Sequence, residues 1–132
     1  MTVVLDASAL VDVLISRPVA DWVLEQLDGH EVVAPAHQPA EALSAIARLV
    51  RAGDLERADA RRYVLEVAGY DQTLLHPTPE HLVDAFDLDG RVRVLAALYV
   101  VVARELNCVL VTTDRRLARA DPPCRVLAPP DE

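Results

Sequence analysis

Residues 3–11 read VVLDASALV, an apolar, β-branched run that stops at an acid, Asp6, and passes at once into helix-forming residues. Such a run without polar alternation suits a strand buried on both faces of a sheet. Asp6 at its end admits two readings. As a helix N-cap, its carboxylate accepts an orphan backbone N–H, worth about 1 kcal/mol. As a metal ligand, it offers a hard oxygen to a divalent cation. The arrangement recurs where VLVTT, residues 109–113, runs into Asp114.

Outward from these two acids, strands alternate with helices. Strands are predicted at 2–5, 31–34, 73–76 and 109–112, with a fifth at 125–127. Helices are predicted at 7–15, 18–27, 39–52, 54–67, 78–87 and 94–106. Pro39 opens one of them and Gly53 stops it, Asp54 caps the next, and Asn107 stops the last. This alternation implies an α/β fold: one domain over residues 1–132, with a central, mostly parallel sheet of 4–5 strands covered on both faces. Sites in such sheets gather beyond the carboxyl ends of the strands, where Asp6 and Asp114 both fall.

The composition narrows the function. Hydrophobic residues make up 52% and charged residues 26%, as in a globular chain. The longest apolar run, residues 94–103, is half of the roughly 20 residues that a membrane span needs. No basic segment leads into an apolar one at the N-terminus, so no leader is expected. Cys108 and Cys124 lack CxxC spacing and read as free thiols of a cytoplasmic protein. The net charge of −8 argues against broad electrostatic binding of nucleic acid. All thirteen basic residues are Arg. The missing Lys disfavours a phosphoacceptor receiver domain and a haloacid-dehalogenase-type phosphatase, which also wants DxD where this chain reads DAS.

Glu41 lies one turn into the helix begun by PAEALSAIARLV. Alone it would be an acid favoured by the helix dipole. It gains meaning from the set of strand-end Asp, helix-start Glu and strand-end Asp. Arg115, Arg116 and Arg119 follow Asp114, either to hold phosphates or as an exposed helical face; Arg48 and Arg51 after Glu41 share both readings. His30, His37, His76 and His81 show no paired ligand spacing and read as surface or turn residues. Trp22, Tyr63, Tyr70, Phe86 and Tyr99 are too scattered for a base-stacking platform and read as core.

VVLDASALV, then PAEALSAIARLVRAGDL, then ALYVVVARELNCVLVTTDRRLARA resembles the PIN-domain ribonucleases, and within them the VapC toxins of bacterial toxin–antitoxin pairs. The resemblance covers nearly the whole chain. It implies a three-layer α/β/α PIN-like domain and an endoribonuclease that cleaves RNA with Mg²⁺ or Mn²⁺. By position, Asp6, Glu41 and Asp114 match three catalytic, metal-holding acids, and Ser8 and Thr112 match hydroxyl residues that support them. A homodimer and a cognate VapB-type antitoxin are also implied. Apolar residues of the helices at 18–27 and 40–67, including Trp22, Leu49 and Tyr63, are expected to line the antitoxin groove.

The family's fourth acid stands three residues before the aromatic of a D-A-x-Y helix. Here that stretch is AALY, which puts Ala96 at the acid's position. The alanine is either a natural loss or a change that disarms the nuclease. Asp87 and Asp89, nearby in sequence, read as solvated loop acids rather than substitutes. The expectation is a metal-dependent endoribonuclease impaired by Ala96; the alternative is an inactive PIN-fold binding subunit that keeps its partner surfaces.

Overall fold

The structure, a computed structural model, describes residues 1–130. Five strands, β1 (Thr2–Leu5), β2 (Glu31–Pro35), β3 (Thr73–Leu75), β4 (Val109–Val111) and β5 (Arg125–Leu127), form one sheet in the order β3-β2-β1-β4-β5. Every pairing is parallel, with Val3 of β1 opposite Val32 on one side and Val109 on the other. The order reverses between β1 and β4, and that switch point opens a crevice at their carboxyl ends.

Helices α1 (Ala7–Leu14), α2 (Ala20–Leu27), α3 (Gln38–Arg51), α4 (Arg57–Ala68), α5 (Pro79–Asp87), α6 (Val94–Glu105) and α7 (Arg115–Arg119) complete the chain. Side-chain alternation along β1 separates two cores. Val3 and Leu5 pack with Leu10, Val23, Ile46 and Val67 of α1–α4, while Val4 packs with α6 and with Ala85 of α5. Residues 96–103 of α6 are all buried, so this helix is apolar all round. The three-layer α/β/α expectation holds. Among the described residues, no helix is long and apolar enough to cross a membrane.

Three local expectations need correction. Asp54 does not cap α4: its N–H bonds the Leu49 carbonyl at 2.9 Å, so it still closes α3 after Gly53 turns the chain at φ +83°. The fourth helix starts at Arg57, after an extended Glu56. The second starts at Ala20, with Pro18 left in the preceding turn. Helix α7 was not foreseen, because its five residues are too few to show a period. Asn107 does stop α6, in the left-handed region at φ +51°.

Candidate functional site

Asp6 realises the capping reading and still faces the crevice. It is the N-cap of α1, with Oδ1 accepting from Ala9 N–H at 3.0 Å and from the Ser8 hydroxyl at 2.8 Å. The Thr112 hydroxyl donates to Oδ2. Thr112 Oγ1 also accepts the Asp114 N–H at 2.9 Å, and Ser8 Oγ accepts that of Thr113 at 3.3 Å. Ser8 and Thr112 thus knit the end of β1 to the end of β4. Burial is the main force on the Asp6 carboxyl and pushes it up to about 6; the hydrogen bonds oppose that rise and the charge of Asp114 adds to it.

Glu41 comes from the first turn of α3, its side chain 17% exposed. Oε1 accepts from the Tyr99 hydroxyl at 2.8 Å and lies 3.2 Å from His37 Nε2. Oε2 accepts from Arg93 Nη1 at 3.2 Å. Burial would raise this carboxyl, but the bonds from His37 and Tyr99 and the charge of Arg93 prevail and hold it down at about 2. Burial and Glu41 together push the Tyr99 phenol well above its ordinary range. His37 Nε2 also lies 2.9 Å from the Leu95 carbonyl, so Nε2 carries the proton between two acceptors, while buried Nδ1 has no partner. The ring leans on Tyr99, centroid to centroid 4.8 Å.

Asp114 is the N-cap of α7, with Oδ1 accepting from Arg116 N–H at 3.0 Å and, more weakly, from Leu117 N–H at 3.4 Å. The side chains of Asp6, Glu41 and Asp114 line one cavity of about 140 Å³, together with Ala96, Tyr99 and Arg93. Ala96 is the third residue of α6, buried, and opens onto this pit. In kind, three carboxylates suit a hard divalent cation. In closeness they are not yet a ligand set. Among the described residues, no group of three or more His, Cys, Asp or Glu is gathered to hold a metal ion, and Glu41 is turned to Tyr99, His37 and Arg93.

Beside the pit runs a groove of about 890 Å³ that shares Glu41, Asp114, Arg93 and Ala96 with it. Arg48 and Arg116 line this groove, whereas Arg115, half-buried at the start of α7, does not. Asp87 and Asp89 are exposed and line neither cavity. One reading of the sequence is corrected here: His81 is buried, completing a capping box with Thr78 and pairing with Glu105 at 2.9 Å. His37 is the turn residue expected, and it also lines the groove and meets Glu41. Tyr99 and Arg93 were missed as site residues. Their signal was spacing: each is three residues from Ala96, on one helical face.

A further groove, about 440 Å³ between α3 and α4, is lined by Leu43, Ile46, Val50, Val64 and Leu65 with Arg51, Arg57 and Arg61 around it. Trp22, Leu49 and Tyr63 do not line it. They are half-buried and pack on the core of that sheet face, and the exposed apolar residues are instead Leu43 at 51% and Leu65 at 73%.

The PIN domain model matches residues 3–122. Ribonuclease VapC3 of Mycobacterium tuberculosis, in two strains, is 40% identical over 121 residues, covering 91% of this chain and 88% of that protein. Ribonuclease VapC12 of the same species is 30% identical over 118 residues, covering 89% of this chain and 91% of that protein. Among solved structures, PAE2754 from Pyrobaculum aerophilum superimposes with a TM-score of 0.68 at 24% identity, covering 96% of this chain and 89% of that one. VapBC2 from Rickettsia felis, bound to a DNA fragment from its promoter, also gives 0.68, at 12% identity and 97% and 98% coverage. At these identities the two structures speak for the fold.

Proposed function

The chain belongs to the PIN-domain family and, within it, to the VapC ribonucleases; on that premise we propose a toxin-type endoribonuclease whose acid pit works with Mg²⁺ or Mn²⁺ and is impaired by Ala96. One observation carries the metal reading. Asp6, Glu41 and Asp114 come from three separate parts of the chain and line a single pit, with Ala96 on its wall.

A bound hard cation would lower the pKa of its water and stabilise charge on phosphate oxygens. Asp6, Glu41 and Asp114 are the residues that would hold it, directly or through water. Ser8, Thr112 and the Ala9 N–H hold the Asp6 carboxylate, so little reorganisation is needed there. Tyr99 and Arg93 hold Glu41 in the same way, and Arg93 places a positive charge where a substrate phosphate can meet it. With Ala96 in place of an acid, the pit loses one donor and keeps the rest of its frame.

The test is cleavage of single-stranded RNA by this chain and by Ala96→Asp, with Mg²⁺, with Mn²⁺ and with EDTA. Metal-dependent cutting by Ala96→Asp and slow or absent cutting by the present chain is the expected result. Cutting that EDTA leaves intact would overturn the metal reading. No cutting by either folded protein, with metal, favours the second reading: an inactive binding subunit, for which Ala96 is the specific support. In both readings the α3–α4 groove takes a VapB-type antitoxin helix, since it is apolar with a basic rim. The exposed Leu82, Val83 and Phe86 of α5 supply a homodimer face.

A further inference from the structure

We propose that the groove beside the pit is a track for the sugar–phosphate backbone of single-stranded RNA, gripped by Arg48, Arg91, Arg93 and Arg116 without base stacking. The inference rests on the ribonuclease reading and adds the gripping residues and the mode of recognition. The chain has a net charge of −8, yet four of its thirteen basic residues line this one groove. They reach it from three places. Arg48 lies seven residues after Glu41 on α3, two turns along the same face. Arg91 and Arg93 flank buried Val92 just before α6, and Arg116 follows Asp114 into α7. All four are exposed.

Charge complementarity chooses the occupant. Guanidinium forks match the paired oxygens of a phosphate better than a point charge does. Glu41 and Asp114 lie in the same lining, so a phosphodiester chain on this track delivers a backbone phosphate to the pit. The rest of the lining is mostly aliphatic, from Val92, Leu95, Leu117 and three alanines, with Ser44 and His37. No Phe, Tyr or Trp is among the lining residues, and the one aromatic ring, His37, is already packed on Tyr99. Bases therefore find no stacking platform here, and the grip is on phosphates.

Salt dependence reads this out. Each neutralised phosphate of a single strand contributes about −0.7 to the slope of log K against log salt, so four arginines predict about −3. The experiment measures fluorescence anisotropy of a labelled RNA of about 12 nucleotides with the full chain in EDTA, from about 50 to about 200 mM salt. Arg48→Gln and Arg116→Gln should each weaken binding several-fold at low salt and flatten the slope by about 0.7, and together by about 1.4. Arg48→Lys should keep the slope, and Arg62→Gln, on α4 and in the lining of neither groove, should leave it unchanged.

RNA binding with unaltered slopes in both folded Gln variants would overturn the track and leave the ribonuclease reading standing. Failure of the unaltered chain to bind RNA at the lowest salt, in EDTA and in Mg²⁺ alike, would overturn both. A poly-glutamate peptide that binds in an Arg48- and Arg116-dependent way, while RNA binding ignores both, would give the groove to an acidic protein partner and overturn the track.

Discussion

Tyr99 donates its hydroxyl to Glu41 Oε1 at 2.8 Å, from a point on α6 one turn beyond Ala96. The bond spans 58 residues of chain and joins α6 to the start of α3. Glu41 is therefore held between a buried phenol, an imidazole and the Arg93 guanidinium, and its low pKa reports that company. Tyr99→Phe should remove one charge-assisted donor and leave a half-buried carboxylate short of a partner. The expected cost is about 2 kcal/mol at neutral pH, with the Glu41 pKa moving upward. Urea unfolding and an NMR titration of the Glu41 carboxyl check the two parts separately.

Asp6 gives the pH dependence its sign. Its folded pKa of about 6 lies above the ordinary 3.8, so between those values the folded state keeps a proton that the unfolded chain has released. The stabilisation from this group is complete below 3.8 and is lost as pH rises through about 6, on the order of 3 kcal/mol in all. Glu41 acts oppositely, stabilising above 4.5 and losing that contribution as pH falls towards about 2. Unfolding free energies of the chain and of Asp6→Asn across this range isolate the Asp6 part. The Asn variant should gain on the parent as pH rises from 4 to 7; parallel profiles would show that Asp6 does not carry the proton.

What was legible in the sequence followed from period and punctuation. Strand runs such as VVL and the Gly53 and Asn107 stops are local signals, and they read correctly. The parallel sheet followed from the alternation of strands with helices and the family resemblance from three motif blocks, whereas the strand order came only with the structure. What stayed hidden depended on partners distant in sequence. Tyr99 looked like core because its ring is buried, and only the approach of α3 turns its hydroxyl into a ligand for Glu41. His81 looked like a turn residue because nothing local reveals Glu105, 24 residues on. Asp54 failed as a cap because it still closes α3, its N–H bonded back to Leu49, and α4 begins only at Arg57 after Glu56.

Self-association should depend on α5. Leu82, Val83 and Phe86 expose 54%, 58% and 70% of their surfaces, an apolar face that the chain's own core does not cover. Phe86→Asp removes a large aromatic area and places a charge in any interface built on it. Size-exclusion chromatography with light scattering should find the parent dimeric and the variant monomeric at equal concentration. A parent that is already monomeric would remove α5 from the account.

Ala96→Asp is the sharpest test of the pit, because its two effects on stability have opposite signs. A carboxylate at this buried position joins three others, adding three repulsive pairs. At about 6 Å and an effective dielectric of about 20, each pair costs about 3 kcal/mol, of which relaxation, proton uptake and Arg93 one turn back absorb much. A net loss on the order of 2 kcal/mol is expected without metal. Divalent cation should reverse the sign: at about 100 times its Kd it returns about 2.7 kcal/mol to whichever form binds it. Thermal unfolding should thus place the variant below the parent in EDTA and restore it in Mg²⁺ or Mn²⁺, while the parent moves much less. A variant that is destabilised and indifferent to metal would mean that Ala96 is only a packing residue of α6.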